Sequence, residues 1–347
     1  MVEYIYWDFK DNPITEAEYI SFLEKYYGNE TPERLKRIKW YQNYEKYKIL
    51  LAIEDGVVLG QSCVYSVNAI INGKVIEWWW GIDCFVLPSA RGKGVGKGLQ
   101  MNLHSRFENF SSLWYSKANG RIKIRCGAKA VCMQKEYYYP ITSFVSFAIY
   151  ALVHKMVHKS ITYPILWNNK YICLNSLFSL SHNLRYEEVN FRQRLNEIHS
   201  YMRVYLKQYD FYIDRNIDYL KWKYVDNPTL SYHCLYIWSQ KQKLLGIIVF
   251  SDVFSRKVLA VERRVSLLLE VIYLNGGEKY KRLLLLQVFK YFIKKRISLD
   301  GILAWNNMGY YPNIVYPRQG TALLSTYSYK INHPYFSYSD QDMEQML

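Results

Sequence analysis

Seven consecutive residues, Arg91-Gly92-Lys93-Gly94-Val95-Gly96-Lys97, have the types and spacing to hold an anion. Glycines at 92, 94 and 96 let the backbone bend so that successive amide N–H groups converge on one point. Arg91, Lys93 and Lys97 add positive charge. Two familiar phosphate loops are excluded by spacing. A Walker loop needs glycine five residues before the Gly-Lys pair, where Arg91 stands, and Gly98 occupies the place of its magnesium-binding hydroxyl. A dinucleotide loop needs a third glycine where Lys97 or Leu99 is found.

The elements around these residues decide what the loop can do. Glu77 to Val86 reads as an apolar strand running into Leu87-Pro88, and the stretch from the loop to Phe107 reads as an amphipathic helix. A helix starting there turns the positive end of its dipole toward the loop. Strand, loop and helix in this order suit a pyrophosphate.

Upstream, residues 3–8 read as a first strand. Ile14 to Tyr27 has helical spacing with Thr15 as its cap and Gly28 as its stop, and Thr31-Pro32-Glu33 opens a second helix to about Tyr44. Strands 46–54 and 57–71 flank an Asp55-Gly56 turn, and Asn72-Gly73 leads into the strand bearing Trp78-Trp79-Trp80. Alternation sends Trp79 to one face of that strand and its two neighbours to the other. Downstream, Arg121 to Val131 reads as strand and turn, Ile141 to Lys159 as an inter-domain helix, and Glu187 to Gln208 as a helix.

The second half repeats the first. Ile38-Lys39-Trp40-Tyr41 and Leu59-Gly60 correspond to Leu220-Lys221-Trp222-Lys223 and Leu245-Gly246. Ser266 to Leu274 corresponds to the Trp strand, Asn275-Gly276-Gly277-Glu278 to the loop, Tyr280 to Arg296 to the helix, and Asp300 to Trp305 to a following strand. The second loop lacks the glycine spacing and carries an acid, so one anion site is expected, in the first half.

At 347 residues and 50% hydrophobic content the chain is long enough for two domains with real cores. Its net charge of +15 favours anionic partners, with basic residues scattered among aromatics and no nucleic-acid arm. Cys63, Cys84, Cys126, Cys132, Cys173 and Cys234 include no Cys-x-x-Cys pair, which fits free thiols in a reducing cytoplasm. A polar start, Glu3 to Asn12, gives no sign of a secretory signal, and the apolar run Phe144 to Val153 is too short to span a bilayer. His154 and His158 have a metal-capable spacing without a neighbouring acid or an evident third ligand, so no metal is expected.

Arg91-x-x-Gly94-x-Gly96 after a strand ending Val86-Leu87-Pro88 resembles the acyl-CoA loop of the GNAT superfamily of N-acyltransferases. The repeat is similar to bacterial tandem-GNAT proteins, as are Arg215 to Tyr224 and Tyr335 to Asp342. The resemblance implies an α/β fold of two tandem GNAT-like units, each a mixed, mostly antiparallel sheet flanked by helices. It places an acyl-CoA-binding domain at 1–139, a linker at 140–182 and a degenerate domain at 183–347. It implies an opening between two parallel strands in which Phe85 and Val86 pair with pantetheine and residues 91–97 (Arg91, Gly92, Lys93, Gly94, Val95, Gly96, Lys97) hold the pyrophosphate. The implied reaction is direct attack of a small-molecule or peptide amine on acetyl-CoA or another acyl-CoA, without a metal.

The family often uses a strand acid as base, which makes Glu77 and Asp83 the candidates; six residues apart, they share a face if the strand is regular. It also often uses a Tyr four residues before a Gly-Phe pair to protonate the leaving thiolate. Here that count from Gly127 reaches Lys123, and Ala128 stands for Phe, leaving Tyr115 or Tyr137 to Tyr139 as substitutes. Two alternatives accompany this expectation: a long-chain or acyl-carrier-protein-dependent N-acyltransferase, and a non-catalytic CoA-binding scaffold.

Overall fold

The computed structural model describes residues 1–10, 13–44, 46–113, 115–134, 136–140, 183–258, 261–305, 316–317, 321–326, 331–337 and 340. In chain order the elements are β1 (Glu3–Trp7), α1 (Glu16–Tyr27), α2 (Thr31–Gln42), β2 (Tyr47–Glu54), β3 (Val57–Ile71) and β4 (Lys74–Val86). Next come α3 (Val95–Arg106), β5 (Phe110–Ser112), α4 (Lys117–Arg125), β6 (Lys129–Gln134), β7 (Glu136–Pro140), β8 (Leu184–Val189), α5 (Leu195–Leu206) and β9 (Phe211–Ile213). A short helical stretch, Ile217–Leu220 continuing through Lys221–Val225, precedes β10 (Tyr232–Ser239), β11 (Leu244–Ser251), β12 (Phe254–Val258) and β13 (Val261–Tyr273). The chain closes with α6 (Lys281–Lys294), β14 (Gly301–Trp305), β15 (Tyr316–Pro317), β16 (Thr321–Ser325) and β17 (Pro334–Tyr335).

Contacts divide the chain into two compact units. The first holds Met1–Gln134, Leu206–Ser231 and Thr321–Met346; the second holds Lys135–Tyr205 and Tyr232–Gly320. The units are not contiguous in sequence, which differs from the expected division at 1–139, 140–182 and 183–347. Residues 206–231 and 321–346 join the first unit because their strands complete its sheet: β16 bonds β5 and β6, and β9 bonds β3. The linker helix expected at Ile141 to Lys159, with His154 and His158, lies outside the described residues.

The first sheet runs β1-β2-β3-β4-β5-β16-β6, with β9 and β17 beyond β3. The second runs β15-β7-β14-β13-β11-β10-β8, with β12 beside β13. Read from opposite ends, the two orders correspond. In each the pairs are antiparallel except one central parallel pair, β4 with β5 and β13 with β14, apart from the added parallel strand β17. The mixed, mostly antiparallel sheets and flanking helices expected from the sequence are present twice.

The repeat extends to single contacts. Leu87 N donates to Leu59 O at 2.9 Å, and Leu274 N donates to Leu245 O at 2.9 Å. A Cβ on Gly60 would stand 2.9 Å from Phe85 O, and one on Gly246 would stand 2.9 Å from Ile272 O. Glycine is needed at both places because two strands approach there more closely than a side chain allows. The two Leu-Lys-Trp-type segments both lie in the first unit, where Trp40 and Trp222 stack with centroids 4.5 Å apart.

Local signals set most boundaries. Thr15 and Glu18 form a reciprocal capping box at α1, and Gly28 ends it with φ +56°. Asp55-Gly56 and Asn72-Gly73 all take positive φ, as two-residue hairpin turns require. Two expectations are corrected. Arg121 to Val131 begins inside α4, where Ser116 Oγ accepts from Asn119 N and starts a helix; the alternation of Ile122, Lys123 and Ile124 had imitated a strand. Glu187 to Val189 belongs to β8, with Glu187 opposite Tyr236, and the helix starts only after Asn190 Oδ1 accepts from Gln193 N.

The three tryptophans confirm the alternation. Trp78 and Trp80 are fully buried on one face of the first sheet, where Trp78 meets Phe211 and Trp80 meets Phe336. Trp79 points to the other face and meets Phe107 at 4.3 Å, within the core of Leu50, Val64, Val95, Leu99, Leu103 and Phe110 beneath α3. Burying each large side chain contributes about 1.5–3 kcal/mol, so this packing holds α3, and the loop ahead of it, firmly on the sheet. Gly98 serves the same end: a Cβ there would collide with the Tyr4 ring, so α3 can lie close on β1.

Candidate acyl-CoA site

β4 keeps its pairing with β3 to Val86, but its pairing with β5 ends at Trp80 opposite Ser111. Beyond that point no described strand lies on the second edge of β4, and a cavity of about 920 Å³ opens between Gly81–Val86 and α4. The size falls in the range of small-molecule sites. Its far wall is the loop at 91–97.

The loop adopts the shape its glycines permit. Gly92 and Gly94 both have φ +83°, a region that costs other residues about 1 kcal/mol or more. Gly94 is the N-cap of α3 and supplies no side-chain hydrogen bond, so the first-turn amides are not capped from within. Arg91, Gly92, Lys93, Gly94 and Lys97 are exposed. Arg91 Nε donates to Val86 O at 3.3 Å, tying the loop back to the strand end. The result is a set of unspent N–H donors, a helix N-terminus and two cations, Arg91 and Lys97, around one concavity, an arrangement that suits an anion.

Of the residues expected to bind the cofactor, Phe85, Val86, Arg91, Gly92, Gly94, Val95, Gly96 and Lys97 all line this cavity; Lys93 does not. The Phe85 ring is covered by α1, stacking on Tyr26 at 3.8 Å and Phe22 at 5.2 Å. Tyr26 also lines the mouth, and Tyr115 lines the α4 side. Tyr137 to Tyr139 are elsewhere: they lie in β7 of the second sheet, paired with β14.

The two candidate acids do not share a face as expected. A register shift interrupts β4 opposite Gln61–Cys63, and Asp83 takes φ +43° there, so the period of two breaks between Glu77 and Asp83. Glu77 is exposed, outside the cavity lining, and bonded by Lys46 Nζ at 2.7 Å and Ser66 Oγ at 3.1 Å. Lys46 first, and Ser66 and Trp79 after it, hold its carboxyl below the usual range. Asp83 borders the cavity, but its carboxylate is buried and receives Arg37 Nη2 on both oxygens, at 2.5 and 2.6 Å.

Lys123 is not among the site residues expected above. On α4 its side chain is almost fully buried, lines the cavity, and donates from Nζ to Gln100 Oε1 at 2.7 Å and Ser112 Oγ at 2.8 Å. Burial pushes its pKa down from 10.5 to about 8, against the opposing influence of the Cys84 and Cys126 thiols. Nearby His104 is pushed down to about 4, first by burial and then by the Lys123 charge, and is neutral at pH 7. The signal available in the sequence was positional: Lys123 stands where the family resemblance places a tyrosine. Among the described residues no cluster of three or more His, Cys, Asp or Glu could hold a metal ion. No helix among them is long and apolar enough to cross a membrane.

Comparison with known proteins bears on this geometry. Residues 15–109 match the family model described as the Acetyltransferase (GNAT) family, a range that takes in β4 and the loop at 91–97 and ends before β5. No curated protein matches the chain. Among solved structures, a GCN5-related N-acetyltransferase from Anabaena variabilis ATCC 29413 superposes with a TM-score of 0.56 at 12% identity, covering 93% of this chain and 72% of that one. N-myristoyltransferase from Saccharomyces cerevisiae, solved with bound myristoyl-CoA and inhibitors, gives 0.57 at 10% identity, covering 99% and 85%. A GCN5-related N-acetyltransferase from Kribbella flavida gives 0.52 at 8% identity, covering 93% and 71%. At such identities the likeness is one of fold.

Proposed function

We propose that the chain is an N-acyltransferase of the GNAT type that carries acetyl or another short acyl group from CoA to a primary amine, on a small molecule or a peptide, in a ternary complex. The observation that carries this reading is the fork: an open backbone edge at Gly81–Val86 leads straight to an uncapped helix N-terminus with glycines at positive φ. An extended amide-bearing arm with a diphosphate at its end fits both parts. The pantetheine amides pair with the strand edge, and the diphosphate takes the amides of residues 91–97 with Arg91 and Lys97 beside them. The thioester then lies where β4 and β5 part.

Catalysis on this reading is chiefly positioning of the thioester against an amine. A backbone N–H of the β4 edge polarises the carbonyl. The acceptor enters on the side of Tyr26, where α1 borders the mouth. A short acyl group is favoured because the fork closes tightly: a Cβ on Gly81 would stand 2.6 Å from the Phe110 ring and 2.9 Å from Ser112 Oγ. Only the first unit is proposed to bind acyl-CoA. In the second, a Cβ on Gly277 would fall 1.8 Å from Leu245 O, so that loop is packed tightly against β11. The reading is tested by thiol release from acetyl-CoA in the presence of glucosamine, spermidine or glycylglycine. Amine-dependent release that disappears in Arg91→Ala supports it; no binding of CoA or acetyl-CoA by calorimetry refutes it.

A further inference from the structure

Expelling CoA from the tetrahedral intermediate places a negative charge on sulfur. Resting on the reading just given, we infer that Lys123 receives it: the ammonium stabilises the departing thiolate at the apex of the fork and gives it its proton.

The last β4–β5 pair is Trp80 with Ser111, and the next residues on each strand, Gly81 and Ser112, begin the opening. Lys123 Nζ is 2.8 Å from Ser112 Oγ and 2.7 Å from Gln100 Oε1, so it is fixed beside that apex by two acceptors on different elements. An ammonium has three N–H donors, and these two bonds leave one unused on a side chain that lines the cavity, with Nζ 4.9 Å from the centroid of the Phe110 ring.

Lys123 is 3% exposed, and among the described residues no carboxylate pairs with it. The titratable groups around it are the Cys84 thiol on β4, the Cys126 thiol just past α4, and His104 on α3, which is neutral at pH 7. A buried cation held only by neutral partners is costly and is relieved by an incoming anion. Gln100 extends the arrangement, because its Nε2 lies 3.2 Å from Cys84 Sγ while its Oε1 accepts from Lys123. That fixes the amide orientation and keeps the ammonium aimed.

The neutral acceptor amine attacks the carbonyl carbon, forming the C–N bond, and collapse of the adduct breaks the C–S bond with the electron pair leaving on sulfur. Lys123 transfers one proton to that sulfur, giving CoASH and a neutral lysine amine. The new amide nitrogen loses its extra proton to solvent, and solvent returns a proton to Lys123. A pKa near 8 suits this, since the group is mostly charged at pH 7 and yet gives up a proton readily.

The test needs no acceptor. CoA itself is the probe, and ionisation of its bound thiol is followed by thiolate ultraviolet absorbance against pH, in wild type, Lys123→Met and Lys123→Arg. The expected result is an ionisation constant at least about tenfold larger in wild type than in Lys123→Met, with Lys123→Arg on the wild-type side because it keeps the charge. A measurement on wild type stands even where the variants fail to fold: CoA binding at about pH 8 releases protons to buffer, while binding of desulfo-CoA does not. Equal thiol ionisation in wild type and Lys123→Met, equal proton release for the two ligands, or an acyl group accumulating on Lys123 in acetyl-CoA would each overturn the inference. Failure of wild type to bind CoA overturns the acyl-CoA reading as well, whereas normal binding with equal ionisation removes only the role of Lys123.

Discussion

Asp83→Asn is expected to weaken the first unit by about 3–5 kcal/mol while leaving the chemistry of the folded fraction nearly intact, the cost seen when one member of a buried ion pair is removed. The carboxylate is 6% exposed and its Arg37 partner 3%, and both oxygens are within 2.6 Å of Arg37 Nη2, so neither charge falls back on water. Asparagine is the proper probe because Asp83 sits at φ +43°, a region that asparagine tolerates and alanine does not. For a unit of this size the loss corresponds to a fall in Tm of about 10 °C. Thermal unfolding and thiol release would be measured side by side, the latter well below the lowered Tm. Adding Arg37→Met should cost less than the sum of the two single losses, because the two side chains share one buried pair. The reasoning is refuted if Asp83→Asn keeps its Tm and loses turnover, which would return Asp83 to the role of base.

Phe110→Ala should cost about 3–5 kcal/mol in stability and open the fork, shifting donor preference from acetyl-CoA toward longer acyl-CoAs in a thiol-release series. Gly277→Ala should destabilise the second unit by more than about 2 kcal/mol, since the new methyl meets the Leu245 carbonyl and not a movable side chain, while CoA affinity stays unchanged. Lys123 gives a pH prediction. Its folded pKa is about 8 against 10.5 in the unfolded chain, so between those values the unfolded state binds more protons and stability rises with pH. Wild type should therefore gain about 3 kcal/mol relative to Lys123→Met from pH 8 to pH 10.5 in urea unfolding, and a flat difference would contradict the burial argument.

Much of this architecture is legible in the sequence because its signals are local. Thr15 and Glu18, Gly28, and the two hairpin dipeptides each specify backbone geometry over a few residues, and the structure has them all. The glycine loop belongs to the same class. Glu77 and Asp83 do not share a face because strand alternation is a good guide only without a bulge, and a bulge depends on what the neighbouring strand can accept. Lys123 was visible as an oddity but not as a cavity residue, since its helix rested on a Ser116 cap that the Ile-Lys-Ile alternation obscured. Exchange of β7 and β16 between the two sequence halves was out of reach for a further reason: edge strands are chosen by long-range pairing, and a five-residue strand carries no mark of its partner. Arg215 and Asp340 show the same limit. They occur in two segments noted separately, and in the structure they form a buried pair at 2.5 Å.

The central claim is that one acyl-CoA binds, at the loop of the first unit. Calorimetry of acetyl-CoA with wild type, Gly94→Asp and Gly276→Asp tests it most directly, because both glycines have positive φ, +83° and +81°, and both substitutions add the same charge. The account predicts one site per chain, a loss of about 100-fold or more in Gly94→Asp, and wild-type affinity in Gly276→Asp. Two equivalents bound by wild type, or equal losses in the two variants, would contradict it.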